Sequence, residues 1–310
     1  MILVFKNINF ANMFYRRKVI LALLQTFGGQ LDKISFQKLL FLFADLQKKH
    51  DVKPAFDFVP YQKGCFSFQS YADMGTMRKY GQIEDTDKGW VKKEADDYFI
   101  TLSTKDRQLM LFLKNKYATY STDNLIKHTY TYFPYYATKS TIAKKVLNTD
   151  ELQVVYSSIP KNNKTILYTI GYEGSSLENY LNRLILNDVK VLCDVRKNPL
   201  SMKYGFSKSQ LLNACEKLDI KYIHIPNLGI NSDKRQNLNN QNDYDRLFKD
   251  YKATTLVENN MAVKDVFGLL EKYSRIALTC FEANQCQCHR GTLAKAIIGL
   301  PEWKYELKHL

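Results

Sequence analysis

Long hydrophobic runs and nucleotide-binding signatures are both missing from this chain of 310 residues. No apolar stretch approaches the ~20 residues that a membrane span needs. The Walker A pattern does not occur, and the segment Gly171-Tyr-Glu-Gly174 lacks the G-x-G-x-x-G spacing of dinucleotide-binding loops. We therefore expect no membrane association, no P-loop ATPase and no NAD-dependent dehydrogenase.

Cysteine is scarce, with six residues that show no regular spacing. The segment Met1–Lys6 lacks a basic leader and a small-residue cleavage site, so we expect no signal peptide, a cytoplasmic location and reduced thiols. The spacing Cys280-x5-Cys286-x-Cys288-His289 does not match the paired C-x2-C units of zinc ribbons and fingers. We therefore expect no metal site, and no motif indicates any other cofactor.

Acidic residues are too few to balance the basic ones. The chain has 45 Lys and Arg against 31 Asp and Glu, which gives a net charge of +14. Such a surplus favours polyanionic partners, and nucleic acid or a nucleotide is the partner we expect. The surplus is spread along the chain, however, and clusters such as Arg16-Arg17-Lys18 and Lys144-Lys145 are also typical of solvated helix faces.

The length suits a folded protein of about two domains of ~150 residues each. The stretch Ser157–Lys164 is polar and contains Pro160, as is typical of a linker. We therefore predict a first domain over residues 1–157 and a second over residues 164–310.

The first half has the pattern of a helical domain with a hairpin. Apolar periodicity predicts helices over Met13–Phe27, Ser35–Lys48 and Phe66–Tyr80. Two short strands are predicted to follow, one from Gly81 to Trp90 and one from Asp97 to Leu102, before a helix that Ser103 opens. The order of helices and hairpin is winged-helix-like.

The second half alternates strands with helices. Short runs rich in β-branched and apolar residues predict four strands, over Thr165–Ile170, Val189–Val195, Lys221–Ile225 and Arg275–Cys280. Alternation of this kind predicts a mainly parallel sheet covered by helices, which places this half in the α/β class.

Polar residues follow these strands at the points where each strand ends. Gly171 and Gly174 follow the first strand, Asp194 and Arg196 end the second, and the segment Cys280–Arg290 follows the fourth. Because parallel strands end at one edge of a sheet, where ligands of open α/β folds bind, we expect these residues to surround one pocket.

The residue types suggest roles in that pocket. Guanidinium groups bind phosphate through two hydrogen bonds, so Arg196 and Arg290 are candidates for anion binding. Glu282 or Asp194 is a candidate general acid or base. Cys288, at a helix start, is a candidate nucleophile, and His289 beside it is a further candidate catalytic residue. The alternatives are that Asp194 and Arg196 form a structural ion pair and that the cysteines only pack.

Six motifs occur in order along the second half: TIGYEG, CDVRKNP, GFSK, YIHIPNLG, CFE and CHR. Over Thr165–Ile298 this order resembles the domain-of-unknown-function 488 family (DUF488). The resemblance implies a Rossmann-like α/β domain, and members are often linked to DNA repair or nucleic-acid metabolism. The family pattern falls on Gly171, Asp194, Arg196, Phe206, Lys208, Gly229, Cys280, Glu282, Cys288, His289 and Arg290. Lys208 joins Arg196, Arg290, Gly171 and Gly174 in the anion-binding set.

The first half resembles the Panacea-type domains of antitoxins and related proteins. The segments that carry the resemblance are Ile34–Phe43 and Phe58–Phe68, although Gly64-Cys65 stands where the usual motif has Gly-Pro. The resemblance implies recognition of a protein or nucleic acid rather than catalysis.

Together these features suggest an enzyme that processes a nucleotide or nucleic acid by hydrolysing a glycosidic or phosphoester bond at the sheet edge. The alternative is a regulatory protein without turnover, either a nucleotide or nucleic-acid sensor or an antitoxin-like binding protein. The first domain would then recognise a partner.

Overall fold

The computed structural model describes residues 13–236 and 238–310. The chain forms two compact units, of which the first ends at Ile159 and the second begins at Pro160. Within the described residues, no helix combines the length and the apolar character required to cross a bilayer.

The first unit begins with alternating helices and short strands. These are α1 (Tyr15–Thr26), β1 (Gln30–Leu31), α2 (Lys33–Lys49), β2 (Val59–Tyr61), β3 (Gly64–Phe66), α3 (Phe68–Lys79), β4 (Ile83–Thr86) and β5 (Gly89–Lys92). Four helices follow, α4 (Thr104–Tyr117), α5 (Thr122–Tyr132), α6 (Ala143–Val146) and α7 (Thr149–Ser157). β5 pairs antiparallel with both β1 and β4, and β2 pairs with β3 in a separate hairpin.

Side-chain caps and apolar faces explain the main helices of this unit. The Asp32 carboxylate accepts hydrogen bonds from the backbone N–H groups of Ile34 and Ser35, and so begins α2. Ser103 caps α4 in the same way through the N–H of Asp106. The apolar faces of α1 and α2 are buried in one core, in which Phe36 and Phe43 are fully buried.

The strand predicted over Asp97–Leu102 is wrong. This segment forms turns, because the Asp97 carboxylate accepts the backbone N–H of Phe99 at 3.0 Å and so satisfies it locally. The second strand of the hairpin is instead β5, directly after the turn at Asp87-Lys88.

The second unit confirms the α/β class and the parallel sheet. Its elements are β6 (Ile166–Gly171), α8 (Leu177–Leu186), β7 (Val191–Asp194), α9 (Lys208–Glu216), β8 (Lys221–His224), α10 (Gln241–Ala253), α11 (Thr255–Glu258), α12 (Asn260–Tyr273), β9 (Arg275–Cys280), α13 (His289–Ile298) and β10 (Glu306–His309). The five strands lie in the order β10-β6-β9-β7-β8, and each pair is parallel.

The central strands of this sheet are covered on both faces. Every residue of β6 and of β7 is buried, as expected for a parallel sheet between layers of helices. In the register, Ile166 of β6 lies beside Arg275 of β9, and Val191 of β7 lies beside Ile276. The loops that leave β6, β7 and β9 therefore lie next to one another at the carboxyl edge.

Candidate active site

A cleft of about 380 Å³ opens at the carboxyl edge of the parallel sheet. Its walls come from the loops after β6, β7 and β9 and from the segment before α10. The polar and aromatic residues that line it include Tyr172, Arg196, Lys197, Arg235, Cys280, Phe281, Glu282 and His289. The volume lies within the range of small-molecule sites, which is ~300–1,000 Å³.

A buried ion pair at the end of β7 forms the base of this region. The Arg196 guanidinium contacts the Asp194 carboxylate through Nη2 at 2.5 Å and through Nε at 2.8 Å. Its Nη1 donates to the Tyr172 hydroxyl at 2.9 Å and to the Phe206 carbonyl at 2.8 Å. The Tyr222 hydroxyl donates to the same carboxylate at 2.6 Å. Most donors of Arg196 therefore bind protein groups.

The electrostatics of this pair favour its charged form. Burial alone would lower the pKa of Arg196, but the hydrogen bond and the negative charge of Asp194 raise it above its ordinary value. Burial, together with the neighbouring Asp194 charge, raises the pKa of Tyr222, which stays a neutral hydrogen-bond donor. Asp194 is fully buried, and it is not among the residues that line the cleft.

The loop after β9 is held in place by its own following helix. Arg290, in the first turn of α13, is 1% exposed and donates to the carbonyl oxygens of Glu282 and Ala283 at 2.5 and 2.9 Å. Gly171 allows this loop to approach β6, since a Cβ at that position would lie 1.9 Å from the Glu282 carbonyl oxygen. Arg290 and Gly171 thus fix where Glu282 stands.

Glu282 places a carboxylate in the cleft. Its side chain forms an ion pair with Arg235, and its Oε2 lies 3.4 Å from the Cys280 sulfur. The neighbouring Phe281 is 42% exposed at the rim, where its ring and the Tyr172 ring pack at 77° to each other with 5.3 Å between centroids. The cleft therefore combines one carboxylate, several cations and an accessible aromatic ring.

Two thiols and an imidazole meet behind this carboxylate. The ligand atoms of Cys280, Cys288 and His289 all lie within 4.8 Å of one another, and all three residues are buried. His289 Nδ1 lies 3.6 Å from the Cys280 sulfur, while Nε2 contacts the Val195 carbonyl oxygen at 2.9 Å. This grouping is one that can hold a metal ion, although the linear spacing predicted none.

The two thiols differ in their ease of ionisation. A hydrogen bond from Cys288, aided by the positive charges of Arg235 and Arg290, lowers the pKa of the Cys280 thiol despite its burial. Burial raises the pKa of Cys288. Cys288 is also fully buried and is not among the residues that line the cleft. Its burial and its raised pKa both argue against the expectation that Cys288 is a nucleophile.

The predicted site residues differ in where they lie relative to the cleft. Arg196, Glu282 and His289 line the cleft together with Cys280, whereas Asp194, Cys288 and Arg290 lie behind it. Gly171 lies under the loop after β9, Gly174 occupies an open turn with φ of +69°, and Lys208 is exposed in the first turn of α9. The shared edge predicted from the topology is therefore present, but only part of the set faces the opening.

Sequence reasoning missed four residues of this region: Tyr172, Lys197, Tyr222 and Arg235. Tyr172 stands between the two glycines that follow the first strand, and that position was a usable signal. Arg235 lies in the Asn-rich stretch before α10, and nothing in its sequence context indicates a contact with Glu282.

One family model matches part of the second unit. Residues 176–297 match the family described as "Domain of unknown function DUF488", which confirms the resemblance of the second half to that family. No curated protein and no solved structure matches the chain. The Panacea-type resemblance of the first half stays a prediction.

Proposed function

We propose that the second unit is an enzyme that binds a phosphate-bearing nucleotide or nucleic-acid strand in the cleft and hydrolyses a phosphoester or glycosidic bond. The observation that carries this proposal is that the Glu282 carboxylate lines the same cleft as the cations Lys197 and Arg235. A carboxylate can take a proton from water, and cations can hold a phosphate beside it.

The phosphate contacts are assigned to Lys197 and Arg235. Arg196 and Arg290 already bind a carboxylate and backbone carbonyls, so their role is to position the loops. In the free protein Arg235 pairs with Glu282, and an incoming phosphate would compete for that guanidinium. Phe281 is exposed beside this position, where its ring can stack on a base.

The chemical step uses Glu282 as the general base. Glu282 takes one proton from a water molecule, and the water oxygen forms a new bond to the phosphorus or to the anomeric carbon. The bond from that atom to the leaving group breaks with its electron pair, and the leaving group then takes a proton from Glu282 or from solvent. No oxidant or reductant is needed.

The first unit is proposed to be a winged-helix-like recognition domain. In support, β1 lies between α1 and α2 in the chain but pairs with β5 of the β4–β5 hairpin that follows α3. Apart from the hairpin β2–β3 inserted between α2 and α3, this order of three helices, an intervening strand and a final hairpin is winged-helix-like. With the Panacea-type resemblance and the net charge of +14, it favours a nucleic-acid or protein partner.

The test measures binding and turnover separately on the full chain. Nucleotides, single-stranded and double-stranded DNA, and RNA are titrated at several salt concentrations, and products are resolved by chromatography. We expect affinity that falls steeply with salt, since phosphate binding releases counterions. Lys197→Ala should weaken binding by about ten- to hundredfold, because a charged hydrogen bond contributes ~1.5–3 kcal/mol.

The variant Glu282→Gln separates catalysis from binding. It should lower kcat by about 10²–10⁴-fold with a smaller effect on KM, as expected for loss of a general base. Glu302→Gln, an exposed change outside the cleft lining, is the matched control. Tight binding without turnover would support the sensor alternative instead, and absence of binding to every probe at low salt would remove the proposal.

A further inference from the structure

We infer that Cys280, Cys288 and His289 bind a zinc ion, with the fourth coordination position facing the cleft beside Glu282. The ligands are the two sulfur atoms and His289 Nδ1. The inference of a metal site rests on the positions of these ligand atoms and does not depend on the proposed function. Only the role of the fourth position, as the place of the reacting water, rests on the proposed function.

The distances between the ligand atoms fit a tetrahedral ion. Zinc–sulfur bonds of ~2.3 Å and zinc–nitrogen bonds of ~2.0–2.1 Å imply sulfur–nitrogen separations of about 3.6 Å. His289 Nδ1 lies 3.6 Å from the Cys280 sulfur, and the whole set lies within 4.8 Å. Small movements of side chains are therefore enough to close the site around an ion.

The histidine is already oriented as a ligand. The Val195 carbonyl oxygen can only accept a hydrogen bond, so Nε2 at 2.9 Å must carry the proton. In the neutral ring that metal binding requires, Nδ1 then carries the lone pair, and it lies 3.6 Å from the Cys280 sulfur. A hydrogen bond from the remote ring nitrogen to a carbonyl is the usual arrangement of metal-binding histidines.

The burial of the three side chains favours a bound ion that all three share. A divalent cation would bind both sulfur atoms as thiolates and balance their negative charge at this buried position. Among the residues that the structure describes, this is the one group of three or more possible ligands close enough to share an ion. Cys193 and Cys215 are equally buried but lie outside it.

The open coordination position is on the side of the cleft. Cys280 and His289 line the cleft, whereas Cys288 is fully buried behind them. Glu282 Oε2 lies 3.4 Å from the Cys280 sulfur, within reach of a water molecule bound at that position. Catalytic zinc sites characteristically have three protein ligands and one water, with a carboxylate close enough to take its proton.

The test begins with the metal content of the full chain. The protein is loaded with zinc, dialysed against metal-free buffer and examined by elemental analysis and native mass spectrometry. We expect one zinc per chain. Replacement by Co²⁺ should give the intense visible bands of a tetrahedral site and a thiolate-to-cobalt charge-transfer band.

Variants then assign the ligands. Cys280→Ser, Cys288→Ser and His289→Gln should each lower zinc affinity, measured against a chromophoric chelator, by more than the ~10–100-fold that loss of a merely orienting partner costs. Cys286→Ser is the control from the same loop, since Cys286 is exposed and outside the group. Cys215→Ser is the buried control. Both should bind zinc as the unchanged chain does.

The proposed site is wrong if the unchanged chain retains no zinc and gives no tetrahedral cobalt spectrum. It is also wrong if Cys286→Ser lowers zinc affinity as much as Cys288→Ser does. A Cys280–Cys288 disulfide whose reduction does not restore zinc binding would overturn it as well. If a ligand variant fails to fold, removal and return of zinc to the unchanged chain still decides the question. If the chain binds zinc but hydrolyses no substrate, only the proposed function is wrong. If the zinc-free chain hydrolyses substrate and binds no zinc, only the proposed metal site is wrong.

Discussion

The Asp194–Arg196 pair shows how single residues shape the cleft without entering the proposed chemistry. Arg196 binds the Tyr172 hydroxyl and the Phe206 carbonyl as well as Asp194, and so joins the loops that follow β6 and β7. A buried charge that loses its partner destabilises a protein far more than an exposed one does. The pair is therefore a positioning element.

Removing one charge of this pair should be costly. We expect Arg196→Met to lower the free energy of unfolding by about 3–5 kcal/mol, because Asp194 would stay buried with only Tyr222 as a side-chain donor. Urea unfolding measures the loss. The double variant Asp194→Asn/Arg196→Met should recover part of it.

The control for this prediction is Lys164→Ala, which breaks the exposed pair between Lys164 and Glu306. It should change stability little, because exposed pairs contribute little. A loss in Arg196→Met no larger than in this control would show that the buried pair does not stabilise the second unit.

Secondary-structure elements could be predicted where their apolar residues form a continuous run or recur at the spacing of a helix. The strand Arg275–Cys280 has the bounds that the sequence indicated, and the helix predicted over Ser35–Lys48 is present as α2, Lys33–Lys49. The strand β10 was missed, because Glu306-Leu-Lys-His309 is a polar sequence whose pairing with β6 at the sheet edge comes from tertiary contact. The meeting of Cys280 with Cys288 and His289 could not be predicted, because it depends on the path of the loop between β9 and α13.

Substitution by alanine at two glycines, Gly171 at the end of β6 and Gly268 in α12, should change stability in opposite directions. Gly171→Ala should lower the free energy of unfolding of the second unit by ~1–3 kcal/mol, because the new Cβ would collide with the Glu282 carbonyl and displace the loop. Gly268→Ala, at an exposed position of α12 with open space around it, should stabilise by ~0.5–1 kcal/mol through helix propensity. Urea unfolding compares the two variants with the unchanged chain, and a stabilising Gly171→Ala would contradict the close packing described here.

The whole molecule consists of two units with separate hydrophobic cores. One core of the first unit includes Phe36 and Leu40, and the core of the second includes Val191 and Leu278. The chain passes from one unit to the other through the polar stretch Pro160–Lys164, in which Lys161 and Lys164 are exposed.

A lysine-specific protease should therefore cut first at this stretch. Exposed backbone outside helices and strands enters a protease site most readily. We expect two early products separated after Lys161 or Lys164, identified by intact mass. The double variant Lys161→Gln/Lys164→Gln should delay both products, and first cleavage within β6 or β7 would contradict the prediction.

The strand order of the second unit also determines when its cleft can exist during synthesis. β6 is the first strand of the unit, but its two neighbours, β9 and β10, are the last two strands of the chain. A growing chain must therefore hold β6 and β7 with unpaired edges until β9 emerges and inserts between them. Pairing over such sequence distances is slow and leaves strand edges open to aggregation. In the first unit, β2–β3 and β4–β5 pair neighbouring segments, whereas β1 must wait until β5 has been made.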